Sequence, residues 1–295
     1  MMAGQGKTSI CLFGVYPIRV DGEPCFLGIS GTTQKLFQYL LLAAGKEIRR
    51  ELLAEIFWSR SSTERQRSAL NSAIWRIKQQ LAEIRGIELV STGPTVFLQV
   101  APDVGNDAKE LSEIVHGASL DEPLDERNVE LLYQALNQCD APFMEGLTSD
   151  WVLTEREKIF NIKIRGMTML MHWRGEQRRY EDALEIGRRL LAEDPFREAA
   201  QCEVMWLYVL NGQRAQALRQ YKEYCELLRD ELGIDPMPET LALYDHIRRD
   251  LNSTGHKLKT EQSRSGVIPN KLNLLLGAIE QSRRDLYRTI RTQLG

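Results

Sequence analysis

Six side chains that can bond to nucleic acid recur at helical spacing in one short stretch of the chain. At about 100° per residue they fall on one face of a predicted helix over residues 63–81. They are Arg65, Ser68, Ser72, Trp75, Arg76 and Gln79. Arginine forks, hydroxyls and amides hydrogen-bond to base edges in a major groove and to phosphate oxygens. The chemistry would be non-covalent recognition of duplex DNA, although a polar helix face is also typical of a solvated surface.

The opposite face of this predicted helix is apolar. Leu70, Ile74, Ile77 and Leu81 follow the i, i+4, i+7, i+11 pattern of a buried stripe. Between residues 60 and 81 the chain has five Lys or Arg and one Glu. This positive charge favours contact with phosphates, which dominates the affinity of proteins for nucleic acid.

The elements around this helix must position it. The apolar spacing predicts helices over 32–44 and 50–58 before it, and a β-hairpin of residues 87–90 and 96–100 after it. A helix, a short helix, a turn, a long basic helix and a hairpin form the order of a winged helix-turn-helix. In that fold the third helix enters the major groove.

Three more residues complete the predicted DNA-contacting set: Arg49, Arg50 and Thr33. The hairpin turn at residues 91–95 has no Lys or Arg, so we expect its hydroxyl groups to contact phosphates. Residues 10–101 are therefore predicted to be a DNA-binding domain.

The N-terminal residues predict strands. Residues 10–16 are apolar and β-prone, Asp21-Gly22 is a strong hairpin turn, and residues 25–27 would form the returning strand. Residues 1–9 are expected to be disordered. Gly4–Thr8 resembles the end of a phosphate-binding loop, but the first glycine and the preceding strand of that motif are missing.

Residues 102–250 are predicted to be almost wholly helical. Two similar segments centred on Ala183 and Ala217 lie 34 residues apart, which is the period of tetratricopeptide (TPR) repeats. The expected fold class is thus mostly α with small β elements: an N-terminal winged helix-turn-helix and a C-terminal all-α, TPR-like helical-repeat domain. A linker is predicted over 251–270, and a basic amphipathic helix over 271–295.

The charge is distributed unevenly along the chain. The overall net charge is −3, but residues 1–101 carry +4, residues 102–250 carry −12 and residues 251–295 carry +5. Like charge repels phosphates, so the acidic segment is not expected to touch DNA.

No motif predicts catalysis, a metal site or a cofactor. Five scattered cysteines and four distant histidines form no ligand pattern, and most of the cysteines are expected to be small buried side chains. There is no G-x-S-x-G motif. No apolar run is long enough for a membrane span, and the N-terminus has no signal-peptide pattern, so we expect a cytoplasmic protein that does not bind membranes.

Two blocks of sequence resemble a known family of bacterial regulators. Residues 32–81, including RRELLAEIFW at 49–58 and ALNSAIWRIKQQL at 69–81, resemble the OmpR-type winged helix of SARP-like regulators, named after Streptomyces antibiotic regulatory proteins. Residues 143–247, including FMEGL at 143–147 and ELGIDP at 231–236, resemble the bacterial transcriptional activation domain (BTAD) that follows it in that family.

The resemblance implies a transcription activator that binds promoter repeats, often as a homodimer, and helps to recruit RNA polymerase. By position in the motif, the recognition helix is Thr63–Leu81. The residues alone leave an alternative open, in which the chain is a TPR-type interaction scaffold and its winged helix binds protein. They also leave open whether such a regulator activates or represses.

Overall fold

The protein is described by a computed structural model that covers residues 7–118 and 125–257. The described chain is mostly α-helical with two small β-sheets, as the sequence predicts. Its contacts group the chain through Thr240 into one compact unit, and residues from Leu241 form a second. The predicted helix over 271–295 lies outside the described residues, and the predicted domain boundaries stay predictions.

The first sheet has the strand order β3-β2-β1-β7. Its strands are β1 Thr8–Ile10, β2 Ile18–Val20, β3 Glu23–Pro24 and β7 Gly105–Asn106. Strand β1 is antiparallel to β2 and parallel to β7. The sheet therefore joins the start of the chain to residues that follow the predicted DNA-binding segment.

The strands around the Asp21-Gly22 turn differ from the prediction. The turn is confirmed, because both residues have positive φ angles, 53° and 85°, as a two-residue hairpin of this type requires. It joins β2 to β3, whereas the sequence predicted strands at 10–16 and 25–27. The prediction was wrong because the chain reverses between Ile10 and Ile18, where the N–H of Cys11 donates to the carbonyl of Pro17 at 3.0 Å.

Two residues of the predicted disordered N-terminus lie in a strand, whereas residues 1–6 lie outside the described residues. Thr8 pairs with Val20 and Ser9 pairs with Arg19 in the β1–β2 ladder. These backbone hydrogen bonds fix two residues that composition alone suggested would be disordered.

The central elements follow the predicted order of three helices and a hairpin. They are α1 Gly31–Leu42, β4 Ile48–Arg49, α2 Arg50–Trp58, α3 Thr63–Leu81, β5 Ile87–Thr92 and β6 Thr95–Val100. Helix α2 has the predicted bounds. Strand β4 was not predicted; it pairs antiparallel with β6 and gives a three-stranded sheet of order β4-β6-β5.

Six helices of the same compact unit follow. They are α4 Asp107–Gly117, α5 Glu126–Gln138, α6 Asp150–Glu176, α7 Tyr180–Glu193, α8 Glu198–Leu210 and α9 Arg214–Leu232. Each helix from α6 to α8 packs against the next one in the chain. The buried core continues from the N-terminal sheet through α1–α3 into these helices.

The two similar sequence segments occupy equivalent positions in helices α7 and α9. Helices α7 and α9 begin 34 residues apart, and Ala183 and Ala217 are both fully buried. Gly187 lets α7 and α8 approach closely, since a Cβ added there would lie 2.6 Å from a methyl carbon of Val204.

Helix α10 spans Pro238–Lys257. It continues to residue 257, into the stretch that was predicted as a linker. Near its middle the guanidinium of Arg248 lies 5.6 Å from the ring centre of Tyr244 and forms an ion pair with Asp245. Across the described residues, no helix combines the length and apolar character needed to cross a membrane.

Candidate nucleic-acid interface

The amphipathic pattern of α3 determines which of its faces is exposed. The helix starts after Ser62, whose backbone is extended, and it has Glu64 in its first turn and Lys78 in its last. Both charges are favourable at those ends of the helix dipole. The predicted stripe Leu70, Ile74, Ile77 and Leu81 is buried, together with Ala73.

The opposite face of α3 is exposed, with all six side chains of the predicted set accessible to solvent: Arg65, Ser68, Ser72, Trp75, Arg76 and Gln79. The structure therefore brings these six residues together on one surface, here called the α3 face. Ser72, Trp75 and Arg76 also line a shallow depression of about 410 Å³ with Asn71. Arg65 and Arg76 make no hydrogen bond or ion pair with any described residue, so both guanidinium groups can bind a ligand.

The turn between α2 and α3 is held by side-chain and backbone hydrogen bonds. The amide of Gln66 donates to the carbonyl oxygen of Trp58 at 3.1 Å. The backbone N–H of Ser61 donates to the same carbonyl at 2.9 Å. These bonds set the angle at which α3 leaves α2.

The two adjacent arginines of the predicted set have different surroundings. Arg50 donates to the hydroxyl of Ser91 in β5 at 2.6 Å and to the side-chain oxygen of Asn71 in α3. Its backbone N–H also donates to the carbonyl of Pro94 in the hairpin turn at 2.9 Å. Arg49 is exposed and makes no ion pair with a described residue. Arg50 thus positions the hairpin beside α3. Of these two arginines, Arg49 is the one that is free to contact a phosphate.

Thr33 does not lie on the α3 face or on any exposed surface. It is 8% exposed, because the first turn of α1 directs it inward together with Leu36 and Phe37. The predicted DNA contact of Thr33 needs an exposed hydroxyl, whereas the phase of α1 buries this side chain.

The hydroxyl groups of the hairpin turn are already engaged within the protein. Thr95 donates to a carboxylate oxygen of Glu47 at 3.0 Å, and the hydroxyls of Thr92 and Thr95 are 3.3 Å apart. Ser91 accepts from Arg50. The carboxylate of Glu47 would repel a phosphate, so these hydroxyls are poorly placed for the phosphate contact that the sequence predicted.

Two residues that the sequence analysis did not single out also support α3. Gln80 accepts a hydrogen bond from the backbone N–H of Gly28 at 2.6 Å, which ties the segment before α1 to the end of α3. Asn71 is the partner of Arg50 in α3. The sequence shows that both residues are amides on the predicted helix. It does not show their partners, which are distant in sequence.

An aromatic cluster joins α1 and α2 to the start of α6. The ring of Trp151 lies 5.1 Å from that of Tyr39 and 6.4 Å from that of Phe57, both edge to face. Such pairs each stabilise a contact by about 0.5–1.5 kcal/mol beyond their burial. Helices α1 and α2, which pack against α3, are therefore held against the helical body.

Backbone contacts reinforce this junction. Phe13 and Phe143 form an isolated antiparallel bridge, and their rings lie 5.3 Å apart. The guanidinium of Arg156 donates to the carbonyls of Phe143 and Met144 at 2.8 and 2.7 Å. A carboxylate, Asp107, accepts from the backbone of the same N-terminal segment.

The helical body presents a second, polar groove of about 410 Å³ between α7, α8 and α9. It is lined by Glu181, Arg188, Tyr208, Gln213, Gln216, Arg219, Gln220 and Glu223. Glu181 accepts from the amides of Asn211 and Gln213, at 2.5 and 2.9 Å. The groove is thus a hydrogen-bonding surface of mixed charge.

All five cysteines are free thiols, and none of them is fully exposed. Cys139 and Cys202 are buried, and the other three cysteines are partly buried. Burial raises the pKa of Cys202 to about 11 and raises the pKa of Cys139 still further. In residues 7–118 and 125–257, His, Cys, Asp and Glu side chains form no group of three or more that could hold a metal ion.

The chain is similar to known transcriptional regulators. Residues 107–248 match the family described as "Bacterial transcriptional activator domain" (BTAD). The chain is 25% identical over 262 residues to the transcriptional regulatory protein MoaR1 of Mycobacterium bovis, which covers 83% of this chain and 81% of MoaR1. It is 25% identical over 251 residues to the regulatory protein AfsR of Streptomyces coelicolor, but it spans only 25% of the length of AfsR.

One solved structure has a similar fold. It is EmbR of Mycobacterium tuberculosis, in complex with a low affinity phosphopeptide, with a TM-score of 0.67 and 21% sequence identity. The similarity covers 83% of this chain and 66% of the EmbR chain, and at this identity it concerns the fold alone.

Proposed function

This chain contains a bacterial transcriptional activator domain and belongs with the SARP-like regulators, and on that premise we propose that it binds specific sequences in duplex DNA. In this proposal α1, α2, α3 and the β5–β6 hairpin act as a winged helix-turn-helix. Helix α3 enters the major groove, and the chain regulates transcription in the bacterial cytoplasm.

The observation that carries the proposal is the α3 face. Arg65 and Arg76 are exposed and unpaired among the described residues, and Ser72 and Gln79 share the same surface. Guanidinium groups, a hydroxyl and an amide on one surface can hydrogen-bond both to base edges and to phosphate oxygens. The net charge of +4 over residues 1–101 adds long-range attraction.

The neighbouring elements support the orientation of α3. Arg50 links the hairpin to α3, and Gln66 holds the turn from α2. Because the inner face of α3 is buried and both of its ends are held by hydrogen bonds, its exposed side chains start from a fixed backbone position. This preorganisation reduces the entropy lost on binding.

We further propose that α4–α9 form a TPR-like body that contacts RNA polymerase, and that two copies of the chain bind adjacent half-sites as an activator. The relatives named as transcriptional regulators support this role. The body carries a net charge of −12 over residues 102–250, which disfavours binding of DNA to it. In this proposal a protein segment binds in its polar groove.

The test is the selection of bound sequences from a random pool of duplex DNA by the full chain at two salt concentrations. We expect one enriched motif, repeated at about one helical turn if two copies bind, with affinity that falls steeply as salt rises. Arg65→Ala combined with Arg76→Ala should abolish the enrichment. Arg165→Ala, which removes an exposed arginine on α6, should leave it unchanged.

Two further results bear on the proposal. Transcription from a promoter with the selected motif, using purified bacterial RNA polymerase, should increase when the chain is added; a decrease would make it a repressor. If the wild-type chain enriches no motif at either salt concentration, specific DNA binding is wrong, and a protein-interaction scaffold becomes the better description.

A further inference from the structure

Trp75 is an unusual residue for the surface on which it lies. Its side chain is 63% exposed, and among the described residues it is the one large apolar side chain of α3 that is exposed. Its position is one turn after Ser72 and one turn before Gln79, in the middle of the α3 face. The exposed indole has no role in the core, because the buried stripe lies on the opposite side of the helix.

The surroundings of Trp75 can hydrogen-bond, but the indole is mainly an apolar surface. Ser72 and Arg76 flank it in the depression on the α3 face, and Asn71 at the same depression is engaged by Arg50. In the major groove the base edges present donors and acceptors, with one apolar exception, which is the C5 methyl group of thymine. Burial of apolar surface against that methyl would be favourable by the same effect that stabilises a core.

We propose that Trp75 recognises the C5 methyl group of a thymine in the bound DNA and thereby determines part of its sequence specificity. This inference rests on the proposed function, and it adds a second kind of recognition to the hydrogen bonds of Arg65 and Arg76. The bound sequence contains a thymine that faces the middle of α3.

The experiment compares duplexes that differ only in methyl groups. The probe is the most enriched duplex from the selection described above, with each thymine replaced in turn by uracil, which keeps the base pair and removes the methyl. We expect the full chain to bind about fourfold more weakly at one or two of these positions, as the loss of one buried methyl predicts.

Four variants assign that effect to a side chain. Trp75→Ala should bind the thymine and uracil duplexes about equally, whereas Trp75→Phe should keep a preference for thymine. Gln79→Ala and Arg76→Ala, on the same face, should bind more weakly but retain the fourfold ratio. Low salt keeps every variant measurable through its phosphate contacts. Since Trp75 is exposed, its truncation leaves no cavity, which a circular dichroism spectrum and an unfolding curve verify.

Each outcome has a definite meaning. The inference is overturned if no uracil substitution weakens the wild type, if the methyl effect persists in Trp75→Ala, or if Trp75→Ala loses all binding at low salt. An enriched motif without a methyl effect overturns only this inference. A selection without an enriched motif overturns the proposed function itself.

Discussion

The carboxylate of Asp107 accepts a hydrogen bond from the backbone N–H of Leu12, at 2.9 Å and across 95 positions of sequence. Its second oxygen accepts from the N–H of Phe13 at 3.1 Å, and the first also accepts from Ala108 at 2.7 Å. Asp107 is only 7% exposed. This one side chain joins the segment after β1 to the start of α4, so a fragment that ends at residue 101 would lose the junction.

Removing this carboxylate should destabilise the protein. Asp107→Ala leaves the N–H groups of Leu12 and Phe13 buried without an acceptor, and each such group costs about 1–3 kcal/mol. We expect the free energy of unfolding to fall by about 2–6 kcal/mol in urea titrations. Asp103→Ala is the control. The carboxylate of Asp103 is exposed, and its Oδ2 lies 3.9 Å from Nη2 of Arg85. Its removal should lower the free energy of unfolding by less than about 1 kcal/mol.

The same residue predicts a pH dependence. Burial raises the pKa of the Asp107 carboxyl, since its desolvation outweighs the three backbone hydrogen bonds that favour the charged form. The native state therefore holds this proton more tightly than the unfolded state does. The stabilisation that comes from this tighter proton binding is complete below the ordinary pKa of 3.8. It is lost as the pH rises through the raised pKa of Asp107.

The measurement is the difference in free energy of unfolding between the wild type and Asp107→Ala, which cannot titrate there. We expect this difference to be largest at low pH, to decrease as pH rises, and to level off above the raised pKa. A difference that grows with pH would mean that the hydrogen bonds dominate and that the pKa is lowered.

The exposed arginines of α3 should determine DNA affinity. Arg65→Ala or Arg76→Ala should each weaken binding to the selected duplex by about 1–3 kcal/mol if the side chain contacts a base or an essential phosphate. A titration across salt concentrations separates the two cases, because loss of a phosphate contact also reduces the salt slope by about one. Retained affinity in both variants, with Arg165→Ala as the matched control, would show that another face of α3 binds.

Arg49 and Arg50 should behave differently although they are neighbours. Arg50→Ala removes the link between Ser91 and Asn71, so we expect weaker DNA binding with an unchanged salt slope. Arg50→Lys should not restore it, because an ammonium group cannot reproduce the planar fork that bonds to both partners. Arg49→Ala should reduce the salt slope by about one and leave the unfolding curve unchanged. The reverse pattern would assign the DNA contact to Arg50.

The buried stripe of α3 should support stability. Leu70 is 1% exposed, and Leu70→Ala should lower the free energy of unfolding by about 2–5 kcal/mol. Leu153→Ala is the same truncation at a position that is 53% exposed on α6, and it should have a much smaller effect. Equal effects in the two variants would contradict the orientation of α3.

Local periodicity was sufficient to predict the helices that form the candidate site. The spacing of Leu70, Ile74, Ile77 and Leu81 predicted both the buried and the exposed faces of α3, because the phase of an α-helix follows from its own residues. The bounds of α2 and the Asp21-Gly22 turn were predicted for the same reason, since each depends on residues next to it in sequence.

Contacts between distant segments could not be predicted in this way. The spacing did not show that Arg50 bonds to Asn71 and Ser91, or that Thr95 is engaged by Glu47. It also included Thr33 among the DNA-contacting residues, whereas packing against the core buries that side chain. Each of these outcomes depends on which surfaces meet after folding.

The sequence by itself therefore determined the helices, the polar face of α3 and its charge, because these follow from the order of neighbouring side chains. The tertiary structure alone decided which of those polar groups are free and which are engaged. It left Arg65, Arg76 and Trp75 exposed, and it engaged Arg50 and Asp107 with partners far away in the chain. The physical reason is that hydrogen bonding and burial depend on distances in space, which sequence separation does not specify.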